Sequence, residues 1–146
     1  MAISENKRAY FDYEILEKFE AGIELLGQEV KSIKNGRINL SGSYVIIQNN
    51  QAWLLNSDIP LYQPKNMVAA YNPKRTRRLL LHKSEIASLI GKTKEKGLTL
   101  LPLKVYIKEQ KIKLEIGLGK SKKKADKRET IRKRDVEKEI RRTKSS

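Results

Sequence analysis

The sequence predicts a mainly β protein: a small closed antiparallel barrel of about six strands with about three helices, followed by a basic tail. Three observations predict it. The segment KIKLEIGLG alternates strictly, with Ile112, Leu114, Ile116 and Leu118 on one face and Lys111, Lys113 and Glu115 on the other, as a half-buried antiparallel strand requires. SYVIIQ and AWLLNSDI flank a turn at Asn49-Asn50, residues that tolerate the left-handed backbone of a tight hairpin. The last 27 residues hold 13 Lys or Arg against 5 Asp or Glu, and Ile131, Val136 and Ile140 are their only aliphatic residues larger than alanine. Such a stretch cannot offset the entropy of ordering itself and is expected to be disordered in free solution. The boundaries that follow are a barrel domain over 1–119 and a tail over 120–146.

The elements follow in order. Residues 1–9 are polar and aperiodic and read as a mobile arm. YFDYEI, from Tyr10 to Ile15, is rich in strand-forming residues. EKFEAG suits a short helix ending at Gly22. GIELLGQEVKSI reads as a long strand broken at Gly27, where a bulge would bend a small barrel. NGRINLSG is turn-rich with room for one helical turn, and the hairpin follows. The segment 60–78 holds three prolines and no period, so it reads as a long loop. Ile86, Leu89, Ile90 and Thr93 then show the i, i+3, i+4, i+7 spacing of an amphipathic helix, with Lys94 and Lys96 in its last turn and Gly97 as its terminating residue. LTLLPLKVYIK is a strand with Pro102 at an edge or bulge, and KIKLEIGLG closes the set. Short antiparallel strands with an inserted helix make an OB-like barrel the expected platform for RNA, with an open α+β sheet as the competing arrangement.

Composition narrows the function. A formal net charge of +15 and a pI near 10.0 in 146 residues point to a polyanionic partner, with nucleic acid favoured over an anionic membrane surface. No apolar run reaches the roughly 18 residues of a membrane span, and the first residues have no signal-peptide core, so a cytoplasmic location is expected. There is no cysteine. Metal-ligand spacing and phosphate-binding glycine loops are both missing, and the lone His82 sits at capping distance from Glu85 at the start of a helix. No enzyme chemistry, metal or cofactor is expected.

Two stretches stand out as binding elements. In KRTRRLLLHK, four basic residues run into three leucines; arginine planes stack on bases and fork onto phosphates, and an exposed leucine packs on an unstacked base. Glu20 in FEAG reads first as an ordinary helix-surface glutamate; it repels phosphate, and so makes sense at an RNA surface only if it meets a base edge, such as the paired N–H donors of guanine.

The pieces NKRAYFDYEI, FEAGIELLGQEVKSIKNGRINL, NPKRTRRLLLHKSEI, KEKGLTLLPLKVYIK and DKRETIRKRD resemble, in order and spacing over nearly the whole chain, the small protein B (SmpB, or SsrA-binding protein) family of bacterial trans-translation. The resemblance implies an OB-type barrel without enzymatic activity that binds the tRNA-like domain of tmRNA and carries it to stalled ribosomes. It implies tmRNA contacts at Glu20, Leu80 and His82, joined by Asn6, Lys7, Lys31, Lys34, Arg75, Arg77 and Arg78. It further implies ribosome contacts, 16S rRNA included, from Lys122, Lys123, Asp126, Lys127, Arg128, Arg132, Lys133 and Ile140. Elongation factor Tu and alanyl-tRNA synthetase would be met only through tmRNA, and the protein is expected to be a monomer. Ser121 stands at a usual family glycine and Ala125 where an aromatic or histidine is common, so a stacking contact at that point is not implied.

The tail has its own logic. Glu129 with Lys133 and Glu137 with Arg141 have the favourable i, i+4 order for a helix. Each pair contributes only about 0.2–0.5 kcal/mol, too little to nucleate one in water. Within a phosphate-lined channel the positive charges would be compensated, and about 20 helical residues would span roughly 30 Å. The alternative from a different class is a structural ribosomal protein that binds rRNA through barrel and tail; an RNA hydrolase ranks third.

Overall fold

A computed structural model describes residues 2–62 and 70–122, with the side chains of 95 and 96 excepted. The described residues form one seven-stranded antiparallel sheet, three helices and connecting turns. The strands are β1 (Ala2–Glu5), β2 (Tyr13–Ile23), β3 (Tyr44–Gln48), β4 (Gln51–Leu55), β5 (Arg77–Leu80), β6 (Thr99–Lys108) and β7 (Lys111–Ser121), ordered β1-β6-β7-β2-β5-β4-β3. The helices are α1 (Lys7–Asp12), α2 (Gly27–Lys34) and α3 (Lys83–Lys96). Among the described residues no ladder joins the outer strands; β3 instead lies against β6, and the core between them includes Val45, Leu54, Leu100, Leu114 and Ile116.

The N-terminus differs from the expected arm. Ala2–Glu5 adds a strand to the free side of β6, with Glu5 opposite Lys104. Pro102 interrupts the β6 ladder at a bulge, and Asn6 fills the gap: its side-chain amide donates to the Pro102 carbonyl at 2.9 Å and its backbone N–H to the Leu103 carbonyl at 2.7 Å. Tyr10–Asp12 then belong to α1 rather than to a strand, tied by an Arg8–Asp12 pair one turn apart, with Ala9 packed on Leu101 and Leu103.

Two further segments exchange their expected conformations. EKFEAG is strand, not helix, because β2 pairs with β7 from Tyr13↔Ser121 to Gly22↔Lys113, and long-range pairing overrides local propensity. The stretch from Gly27 is helix, not strand. Glu29 accepts the Leu26 backbone N–H at 2.8 Å at its start, while Val30 and Ile33 turn to the core. Arg77–Leu80, expected partly in a loop, is the short strand bridging β2 and β4.

Three local expectations hold. Asn49 and Asn50 take φ of 53° and 58° in the β3–β4 turn, the left-handed pair of a type I′ hairpin. Gly97 ends α3 at φ 62°. Ile112, Leu114, Ile116 and Leu118 are all buried on β7. Gly117 admits the close approach of β6, since an added Cβ would lie 2.7 Å from Leu103 Cδ1. Lys120 and Ser121, grouped with the tail by composition, are the last residues of β7, and the Lys122 N–H continues the contact to the Asp12 carbonyl at 3.0 Å.

Candidate nucleic-acid interface

Strand register builds one chemically distinctive surface. Phe19, Ala21 and Ile23 pack on the core, so Lys18, Glu20 and Gly22 face outward on β2. Across the ladders, Tyr106 on β6 lies opposite Lys113 on β7, Lys113 opposite Gly22 on β2, and Gly22 opposite Leu80 on β5. A parallel row joins Lys104, Glu115 and Glu20, and Lys108 lies opposite Lys111 at the hairpin end. Residues facing each other across a ladder share a face. The outer surface therefore gathers five lysines, the Leu80 side chain and two carboxylates.

Glu20 is held from two sides. Its Oε2 accepts the Tyr106 hydroxyl at 2.6 Å and the Lys108 ammonium at 3.3 Å. The Tyr106 bond, with Lys108 and Lys113 nearby, keeps its carboxyl below the usual range. Burial and then the facing carboxylate push the Tyr106 hydroxyl well above its usual range, so it stays protonated and donates. Glu115 has its own cations, Lys18 at 3.6 Å and Lys104 at 3.8 Å.

Two residues along β2 from Glu20, a cleft of about 370 Å³ is lined by Gly22, Leu25, Val30, Leu80, Lys111 and Lys113, among others. Leu80 is 47% exposed. An apolar side chain held open to solvent beside lysines offers a face for an unstacked base and charge for its phosphate. Arg78, exposed beside a distant Glu24 partner at 3.5 Å, adds to that charge. His82 is exposed just beyond Leu80 at the start of α3, where its N–H donates to Glu85 Oε1 at 3.1 Å. Lys31 and Lys34 are exposed on α2, the helix that contributes Val30 to the cleft. Lys7 is exposed on α1, the helix packed against β2 and β6.

Three expected RNA contacts are engaged within the protein itself. Asn6 is buried, its amide committed to Pro102. Arg77 is 0% exposed: its guanidinium forks onto Glu29 at 2.6 and 2.9 Å and donates to the Ser57 and Pro73 carbonyls. Arg75 is bound to both oxygens of the same Glu29. Arg77 therefore serves the fold, while Arg75 keeps 30% of its side chain exposed. The residues that sequence reasoning missed are Gly22, Tyr106, Lys108 and Lys113. The only signal for the last three is alternation along β6 and β7, and alternation cannot show which strands stand beside Glu20. Of the expected ribosome contacts only Lys122 is described, its ammonium donating to the Tyr10 carbonyl at 3.0 Å; Lys123, Asp126, Lys127, Arg128, Arg132, Lys133 and Ile140 lie outside the described residues. Among the described residues no cluster of His, Asp or Glu is placed to hold a metal ion, and no helix is long and apolar enough to cross a membrane.

Comparison with known proteins places the chain among relatives of one family. The family model described as SmpB protein matches residues 3–146. The SsrA-binding protein of Carboxydothermus hydrogenoformans is 55% identical over 138 residues, covering 94% of this chain and 92% of that one. The SsrA-binding protein of Gloeothece citriformis is 51% identical over 140 residues, covering 96% and 90%. A solved chain described as "tmRNA-SmpB: a journey to the center of the bacterial ribosome" superposes with a TM-score of 0.68 at 44% identity, covering 88% of this chain and 94% of that one.

Proposed function

The chain belongs to the SmpB protein family, and from that premise we propose that it binds the tRNA-like domain of tmRNA and delivers it to stalled ribosomes in trans-translation. The observation that carries this function is the match over residues 3–146, with relatives named for binding SsrA at about half identity over nearly their whole length. The outer face of β6, β7, β2 and β5 supports it physically. Lysines draw in phosphate, Leu80 takes a base face, and Glu20 meets a hydrogen-bond donor on the RNA. His82, next to Leu80, offers a ring nitrogen to a base or ribose. The protein binds and positions RNA in the cytoplasm, with no covalent bond made or broken.

The tail has a separate role in this proposal. Its excess of basic residues enters the mRNA channel of the ribosome only when that channel is vacant, and gains helical order there as phosphate compensates its charge. Folding on binding in this way makes the tail a probe of occupancy while the sheet holds the tmRNA. The decisive experiment compares the purified protein's affinity for tmRNA and for ordinary tRNA at moderate salt. A clear preference for tmRNA is expected; equal affinity refutes the function. Stoichiometric association with ribosomal subunits in cells lacking tmRNA would instead indicate a structural ribosomal protein.

A further inference from the structure

We propose that Tyr106 is a positioning residue for RNA recognition: its hydroxyl, together with Lys108, occupies one oxygen of Glu20 and leaves the other as the single acceptor offered to a nucleotide lying across Gly22. This inference rests on the RNA-binding function above and specifies how that surface reads its ligand.

Both protein donors land on Oε2, the Tyr106 hydroxyl at 2.6 Å and the Lys108 ammonium at 3.3 Å. Among the described residues no donor is placed on Oε1. Tyr106 and Glu20 stand on strands separated by β7, roughly 9–10 Å at ordinary strand spacing, so the tyrosine side chain lies along the sheet surface to reach the carboxylate. A planar phenol anchored in the ladder fixes the carboxylate's orientation, which a flexible lysine stem alone cannot do. Glu115, across the ladder from Glu20, does not compete, because Lys18 and Lys104 face it.

The chemistry of the ligand follows. Glu20 is held as an anion by Tyr106 and is an acceptor only, while Lys111 and Lys113 on the cleft wall draw in phosphate. The paired N–H donors of guanine need both carboxylate oxygens. With Oε2 taken, the site fits one donor, the amino group of adenine or cytosine or a ribose hydroxyl. Gly22 keeps the floor flat between Leu80 and Lys113. A Cβ there would meet Leu80 Cβ and Cδ1 at 3.4 Å, an ordinary contact, so Gly22→Ala fills the floor without disturbing the sheet.

The test measures binding of the tRNA-like domain RNA to wild type, Tyr106→Phe, Glu20→Gln, the double variant and Gly22→Ala over a salt series. Tyr106→Phe is expected to weaken binding about tenfold, the scale of one hydrogen bond to a charged group, with the salt slope unchanged. The double variant should be no weaker than Glu20→Gln alone, and Gly22→Ala should weaken binding several-fold. An NMR titration of the free protein should show the Glu20 pKa rising toward its ordinary value in Tyr106→Phe. Binding equal to or tighter than wild type in Tyr106→Phe overturns the proposal, as does additivity in the double variant. If wild type itself shows no preference for this RNA, the RNA-binding function fails instead, and the titration still judges the Tyr106–Glu20 coupling.

Discussion

Glu20 and Glu29 are built from the same parts and do opposite things. Each carboxylate accepts a tyrosine hydroxyl and at least one basic side chain: Tyr106 and Lys108 at Glu20, Tyr71, Arg75 and Arg77 at Glu29. Glu29 is fully buried and draws together α2, the segment before β5, and β5 itself. Burial pushes its pKa up, but hydrogen bonds from Arg75, the Leu26 N–H and Arg77 outweigh that and leave it below the usual range. Glu20 lies at the surface, its side chain 38% exposed, with both of its protein donors on Oε2. A carboxylate with every lone pair satisfied inside the protein holds the fold; one left partly satisfied at the surface is available to a partner.

The largest effect that would break this contrast is on stability. Glu29→Ala leaves Arg77 buried without its counter-charge, and is expected to cost about 3–5 kcal/mol, a large share of an ordinary domain's stability. Urea denaturation measures it, and a loss under about 1 kcal/mol would make the cluster decorative. Glu20→Ala should give the converse result: about tenfold weaker tmRNA binding with no measurable change in the urea midpoint.

Acid sharpens the contrast further. A carboxyl whose folded pKa lies below its unfolded value contributes stability that is fully present above the unfolded pKa of about 4.3 and lost as pH falls through the folded pKa. The stability gap between wild type and Glu29→Gln should therefore narrow on acidification below about pH 4.5, while the gap for Glu20→Gln changes less because water already solvates that carboxylate. Calorimetric melts across pH 3–6 read both. The smallest effect belongs to Lys108→Gln, expected to weaken RNA binding about two- to threefold and to reduce the salt slope by less than one unit. A tail deletion that keeps β7 whole, residues 123–146, should leave tmRNA affinity within about threefold while abolishing tagging on stalled ribosomes.

Much of the fold was legible where local signals were strong. The Asn49-Asn50 hairpin, the α3 spacing with its Gly97 stop, and the alternation of β7 all appear as read. The misread segments share a cause. EKFEAG favours a helix locally but is held as strand by β7, and the stretch from Gly27, read as the continuation of a strand, becomes a helix whose Glu29 has its side-chain partners more than 40 residues away. At the candidate site, Glu20, Leu80 and His82 stood out through family resemblance and all three are exposed. The basic run at 74–78 could not be divided in advance: β5 is a strand, so Arg77 points inward and Arg78 outward, and a charge run reads the same either way.

Composition alone determined that the protein carries an excess of positive charge for a polyanion, concentrated at its C-terminal end, because charge is additive along a chain and needs no fold to act. Motif order over the full length determined the family. Only the tertiary structure decided which carboxylate is a buried strut and which stays at the surface, and that Tyr106 stands two strands from Glu20 yet touches it. Burial and cross-strand register are properties of the assembled sheet, set by long-range packing that no local window of residues contains.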